Sequence, residues 1–182
     1  MKKTTFILAA LSLLMIACST QNKHQDEVTR LQNSLNNIEI ALVKIDSIDS
    51  KTMDNMLSHY STLKDEVWSY YSQDDTASYW RNELSDLQLC VKSMDRYAQE
   101  TKGIHKELNK SQKQITALIH DLENDLVPEE KIEEYVATEI QIAEFSVKKA
   151  AKRGGRALYC YRNYDYIVEK ADSLLTFIKA ED

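Results

Sequence analysis

The sequence predicts an all-α fold, an elongated antiparallel bundle of three long helical arms. The 182-residue chain contains only 3 glycines and 1 proline, the residues on which tight turns and strand ends depend. Apolar side chains recur at alternating spacings of three and four residues along most of the chain, which is typical of a coiled-coil-like seam. Two short polar segments divide this pattern into arms of similar length, and each arm would span ~75 Å at the helical rise.

The first 18 residues have the layout of an export signal. Lys2 and Lys3 precede an apolar run that is too short to span a membrane, since a spanning helix needs roughly 20 residues. The run ends in Met15-Ile16-Ala17-Cys18, which resembles the lipobox of bacterial lipoproteins. The resemblance implies cleavage before Cys18, a diacylglycerol on its thiol, and a place in the cell envelope. Ser19 then implies the outer membrane, facing the periplasm or the surface. The alternative is an ordinary signal peptide or an uncleaved N-terminal helix.

Removing this signal peptide, residues 1–17, changes the composition little. The remaining 165 residues are enough for one domain with a modest core. The full chain has 23 basic and 29 acidic residues, a net charge of −6, and loss of Lys2 and Lys3 makes it −8. This balance argues against nucleic acid as a partner. We therefore expect a lipidated polar tether over residues 18–25 and a single helical bundle domain over residues 26–182.

The first arm is predicted over about residues 26–72. Its apolar pattern slips by one step at Asp46–Lys51, so the helix either continues through a stutter or breaks, with Ser50 capping a second helix. A break is favoured. The first turn is predicted at Gln73–Thr76. The seam positions of this arm are Val28, Leu31, Leu35, Ile38, Leu42 and Ile45, then Met53, Met56, Tyr60, Leu63, Val67 and Tyr70.

The second and third arms are predicted over about residues 77–126 and 128–179. Gly103 lies off the seam of the second arm, and the pattern also survives Gly154-Gly155 in the third. Two continuous helices are therefore favoured, although the glycine pair could end one helix and start another. The turn between the arms is predicted at 127–130, where Pro128 suits a first helical position. The second seam is Trp80, Leu84, Leu87, Val91, Met94, Ala98, Thr101, His105, Leu108, Gln112, Ile115, Ile119, Leu122 and Leu126.

Antiparallel folding about Val127 gives a map of opposing residues. The map leaves Cys90 and Cys160 four positions out of register, about 6 Å along the axis. In an oxidising compartment they could form a disulfide; otherwise they are small buried side chains. The same map places Thr101 and His105 opposite small residues of the third arm, so the waist of the rod should hold either a close helix approach or a small cavity.

Two clusters are candidates for binding a partner. The first is aromatic, because folding about Asp74 brings Trp68, Tyr71, Tyr79 and Trp80 to the end of the rod opposite the lipid. They could form a partner-binding tip or a plug that closes the core. The second is basic: Lys148, Lys149, Lys152, Arg153 and Arg156 could bind phosphate of lipopolysaccharide or an acidic partner, or simply pair with neighbouring carboxylates.

The sequence shows no pattern of catalytic or metal-binding residues. None of the four histidines has another at the spacing that puts two on one helix face, and no Gly-x-Ser-x-Gly or phosphate-binding glycine loop occurs. We therefore expect no enzyme activity, no cofactor and no metal. The predicted function is that of a lipid-anchored spacer or protein-interaction module with an envelope protein as partner; long seams could also support a homo-oligomer. The alternative is a helical sensor that binds a small molecule or metal at the waist near His105.

Overall fold

The computed structural model of the chain describes residues 23–71 and 81–181. Within these ranges it contains five helices and no strand, so the prediction of an all-α helical bundle is confirmed. A short 3-10 turn over Glu129–Lys131 precedes the fourth helix. The helices are α1 (Gln25–Asp46), α2 (Ser50–Tyr71), α3 (Arg81–Glu123), α4 (Ile132–Arg162) and α5 (Tyr164–Glu181).

The five helices form three arms that run up, down and up. The first arm is α1 followed by α2, the second is α3 alone, and the third is α4 followed by α5. The longest interface joins α3 to α4, while α1 packs on both of them, and α2 packs on α3 and α5. With 43 residues, α3 is about 65 Å long at 1.5 Å per residue, which sets the length of the rod.

The buried stripe of each arm is wider than the predicted seam. On α3, Val91 and His105 were predicted at the seam but are only half-buried, whereas the residues before them, Cys90 and Ile104, are buried. The reason is that each arm packs against two others, which requires three buried positions per two turns rather than the two of a coiled-coil dimer. The predicted seam therefore follows one edge of the true stripe.

The first arm breaks where the pattern slips. Helix α1 ends at Asp46 and α2 begins at Ser50. The residue that caps the second helix is Asp49, whose carboxylate accepts a 2.7 Å hydrogen bond from the backbone N–H of Thr52. The prediction of Ser50 as the cap was therefore wrong by one residue, because the helix starts one residue earlier than the pattern indicates.

The third arm breaks at Asn163, which was not predicted. Helix α4 passes through Gly154-Gly155 as favoured and ends at Arg162. The Asn163 backbone N–H and its side-chain amide both donate to the carbonyl of Tyr159, at 3.0 and 2.8 Å. One residue outside the helix does not shift the apolar phase across the break, so the pattern carried no sign of it.

A buried tyrosine from another arm supports the chain at each break. Tyr97 donates its hydroxyl to the carbonyl of Ile45 at 3.1 Å, and Tyr60 donates to the carbonyl of Cys160 at 3.0 Å. Both rings are almost fully buried. The last four carbonyls of a helix lack partners within it. The Tyr60 hydroxyl satisfies such a group at Cys160, and the Tyr97 hydroxyl adds a second hydrogen bond to the Ile45 carbonyl, which also accepts from the Ile48 backbone N–H at 3.1 Å. Burial raises the pKa of the Tyr60 hydroxyl above its ordinary value.

Replacing Gly103 with alanine should stabilise the protein. Gly103 lies inside α3, and an added Cβ would have no neighbour within 4 Å. Because glycine destabilises a helix interior, the free energy of unfolding should rise by about 1 kcal/mol, measured by chemical denaturation. Gly155→Ala is the matched variant in α4, where the added Cβ also has no neighbour within 4 Å. The increases in unfolding free energy from the two substitutions should add. A loss of stability at position 103 alone would contradict a regular helix there.

Candidate functional site

The N-terminal end of the described chain is fixed beside the turn between the second and third arms. His24 is only 5% exposed, and its Nε2 lies 3.5 Å from Oδ1 of Asp125. Arg30 donates to both carboxylate oxygens of Glu133, at 2.8 and 3.1 Å, and this contact holds the pKa of Glu133 below its usual value. The chain therefore enters the bundle at the end that carries this turn. Cys18 and the start of the tether precede this point and lie outside the described residues.

The opposite end carries part of the predicted aromatic cluster. The Trp68 side chain is 49% exposed and that of Phe177 is 45% exposed. Lys179 lies 5.8 Å from the centre of the Tyr70 ring and forms a 2.7 Å ion pair with Glu66. The side chain of Tyr71, and both Tyr79 and Trp80, lie outside the described part of the structure. The joining of all four predicted aromatic residues at this end stays a prediction.

The predicted basic cluster divides into two groups. Three of its five residues form ion pairs: Lys148 with Glu144, Lys149 with Glu107, and Arg153 with Glu100, at 3.2, 2.8 and 2.8 Å. The last two pairs join α4 to α3, so these side chains help to hold the arms together.

The two remaining residues, Lys152 and Arg156, border a cleft between α3 and α4, which the paired Arg153 also lines. The cleft has a volume of about 460 Å³. Helix α3 adds two further basic residues to it, Lys92 and Arg96, which were missed in the sequence because they are separated from the cluster by more than 50 positions. Their place in the cleft follows from the antiparallel alignment of α3 and α4, which puts Lys92 opposite Arg156 and Arg96 opposite Lys152. We call Lys92, Arg96, Lys152 and Arg156 the four-cation cleft.

A disulfide joins the two helices beside this cleft. Cys90 of α3 and Cys160 of α4 are bonded, with their Cα atoms 5.5 Å apart, and both residues are fully buried. The helices are shifted slightly from the predicted alignment, which removes the four-residue offset between the two cysteines. Cys90 lies two residues before Lys92 and Cys160 four residues after Arg156, so the bond fixes the register of the cleft.

The waist of the rod is filled by the buried side chain of Tyr97, the residue before the predicted seam position Ala98. A Cβ built on Gly154 would lie 3.8 Å from the Tyr97 ring and 3.7 Å from Ile45, so the small residues of α4 make room for these two. An apolar cleft of about 300 Å³ remains between α1 and α4. Ala150, Gly154, Ile40 and Leu158 are among the residues that line it.

The surroundings of His105 bear on the alternative of a ligand-binding waist. Its side chain is about one-third exposed, and Nε2 lies 3.4 Å from Oδ1 of Asp46. Thr101 and Asp49 border the same open cleft.

Across residues 23–71 and 81–181, no group of three or more histidine, cysteine, aspartate or glutamate side chains is arranged to hold a metal ion. In the same ranges, no helix has an apolar stretch long enough to cross a membrane.

The geometry offers two surfaces that could bind a partner, the aromatic end near Trp68 and the four-cation cleft. The search for similar proteins adds no further indication of function. Comparison with models of known protein families, with curated protein sequences and with solved structures found no significant match.

Proposed function

We propose that the protein is a non-catalytic, lipid-anchored spacer and interaction module of the bacterial cell envelope. The observation that carries the proposal is the position of the N-terminal entry. Because Lys23 and His24 sit at one end of the bundle, a lipid on Cys18 would attach the rod by that end. The end that carries Trp68 would then lie up to about 65 Å from the membrane, the length of α3.

Two further features support an exported protein with a partner. The Cys90–Cys160 disulfide suits the oxidising conditions of the periplasm or cell surface. Trp68 is half-exposed, and tryptophan is among the residues that most often anchor a protein interface. In this proposal an envelope protein binds at the Trp68 end, and the lipid at the other end is held in the outer membrane.

The anchor can be tested by labelling cells with a palmitate analogue. Wild-type protein should be labelled and should sediment with membranes, whereas Cys18→Ser should lose the label and be released in soluble form. The physical reason is that two or three acyl chains each contribute about 0.8 kcal/mol per buried methylene, which retains a protein at a bilayer. An unlabelled wild-type protein in its native host would contradict the proposal.

The same cells test the interaction at the distal end. Chemical cross-linking should join the anchored wild-type protein to a defined envelope protein, and Trp68→Ala should lose this product. Phe145→Ala is the matched control, because Phe145 is an aromatic residue 69% exposed on α4, away from both ends of the rod. Equal loss in both variants, or no product from the wild-type protein, would contradict a partner at the Trp68 end.

A further inference from the structure

We propose that the four-cation cleft binds a ligand that carries two or more phosphate groups. This site needs no lipid anchor and no protein partner, so it goes beyond the function proposed above and can fail or stand independently of it. It rests on Lys92 and Arg96 of α3 and Lys152 and Arg156 of α4, which border one cleft. Arg153 borders the same cleft, but its guanidinium is paired with Glu100.

The arrangement of the four cations follows from helix geometry. Lys92 and Arg96 are four residues apart on α3, as are Lys152 and Arg156 on α4, so each pair occupies successive turns with Cβ atoms about 5–6 Å apart. Packed helix axes lie 8–10 Å apart. The two helices are antiparallel and their register is fixed by the nearby disulfide, so each lysine stands opposite an arginine. The cations therefore occupy the four corners of one small area.

The described residues do not balance the charge of these four cations with ion pairs. Within residues 23–71 and 81–181, none of the four cations forms an ion pair, although the chain as a whole has a net charge of −6. Two acidic residues close to Arg96 in sequence already have other partners. Glu100 pairs at 2.8 Å with Arg153, a fifth cation of the same cleft, and Asp95 accepts from the Gln99 amide at 3.0 Å. Like charges four residues apart on a helix repel each other. A bound anion would relieve this repulsion.

The residue types favour phosphate over other anions. Arginine presents a planar fork that binds phosphate through two parallel hydrogen bonds, and lysine adds a compact point charge. The arginines sit at diagonal corners, so a single phosphate would reach only part of the site, whereas two or three linked phosphates could contact both helices. Ser93 lies in the same cleft and offers a hydroxyl donor.

Two sources could supply such a ligand, a soluble oligophosphate or the phosphorylated headgroup of a lipid. The cleft lies about 30 residues along α3 from the end where the N-terminus enters, or about 45 Å. A rod standing on its lipid would therefore hold the cleft above the phosphates of its own membrane. This position favours the soluble source.

Titration calorimetry with tripolyphosphate at low ionic strength tests the proposal. The purified wild-type protein should bind it, and its melting temperature should rise with ligand concentration. Arg96→Gln and Arg156→Gln should each weaken binding about tenfold or more, because each removes charge-assisted hydrogen bonds. Lys148→Gln is the control, since it removes the same charge from α4 at a residue that pairs with Glu144 and should leave the affinity unchanged.

Charge reversal separates a binding role from a structural one. Arg156→Glu should raise the melting temperature of the ligand-free protein, because it replaces a repulsive neighbour of Lys152 with an attractive one, while it abolishes tripolyphosphate binding. A variant that merely damaged the fold would lower both the melting temperature and the affinity for tripolyphosphate. Absence of binding to the wild-type protein, or equal weakening in Lys148→Gln, would overturn the proposal.

Two competing ligands complete the test. Vesicles of phosphatidylcholine and phosphatidic acid that bind the protein and release it to tripolyphosphate would support the site and identify a lipid headgroup as the source. Tripolyphosphate binding without vesicle binding would support it with a soluble source. A poly-glutamate peptide that binds as tightly as tripolyphosphate would overturn the preference for phosphate.

Discussion

Replacing both Cys90 and Cys160 with alanine is expected to lower the free energy of unfolding by about 4 kcal/mol. The bond links residues 70 positions apart, and in the chain-entropy account such a long loop strongly restricts the unfolded chain. Because small proteins are stable by only about 5–15 kcal/mol in total, this loss would remove a large part of the stability. The folded state itself should change little, since both side chains are small and buried.

Denaturant titration of the wild-type and double-alanine proteins, with and without a reductant, measures this effect. The wild-type protein should fall to the stability of the variant when reduced, while the variant should not respond to the reductant. The unresponsive variant controls for other effects of the reductant. Equal stability of oxidised and reduced wild-type protein would show that the bond does not constrain the unfolded chain.

Replacing Tyr60 with phenylalanine is expected to lower the free energy of unfolding by about 1–3 kcal/mol. The change keeps the ring, which packs against Tyr164 with centroids 5.3 Å apart, and removes only the hydroxyl. The carbonyl of Cys160 would then lose a 3.0 Å hydrogen bond from Tyr60 within the core. A buried acceptor without a partner carries most of its desolvation cost, which gives the expected loss.

The pH dependence of stability gives a second measurement of the same contact. Burial raises the pKa of Tyr60 above its ordinary value of 10.0, so the native state favours the protonated hydroxyl. That contribution is fully present below pH 10 and is lost as the pH rises through the native pKa. Tyr60→Phe should therefore reduce the alkaline fall in stability. Tyr166→Phe, at a ring 54% exposed, should alter neither the stability nor its pH profile; an equal effect there would contradict the assignment.

The two helix breaks show what the apolar pattern can and cannot predict. The break after Asp46 was predicted because the three residues between α1 and α2 shift the phase of the seam. The break at Asn163 was not, because one residue between α4 and α5 leaves Tyr161, Tyr164 and Val168 in phase. Tertiary contacts support both breaks, in particular the hydroxyl of Tyr60, and a pattern within one segment carries no information about a contact from another.

The candidate site was predictable in part for a related reason. Basic residues close together in sequence, such as Lys152 and Arg156, were found as a cluster, but their separation into paired and unpaired groups depends on Glu100 and Glu107 across the interface. Lys92 belongs to the cleft only because the register of α3 and α4 places it there. An alignment of the arms accurate to about one turn is needed for this, and the predicted map was four positions off at the cysteines.

The two breaks also determine how the rod responds to a load. The first lies beside Tyr97 in the unbroken middle of α3, and the second lies beside Tyr60 in the unbroken middle of α2. Tyr60 is 12 residues beyond the first gap, so the joints are offset by about 18 Å. The two breaks therefore lie at different heights along the rod, and at each height the other two arms are continuous helices. A force that bends the rod therefore meets no hinge through all three arms, and the molecule should behave as a stiff strut.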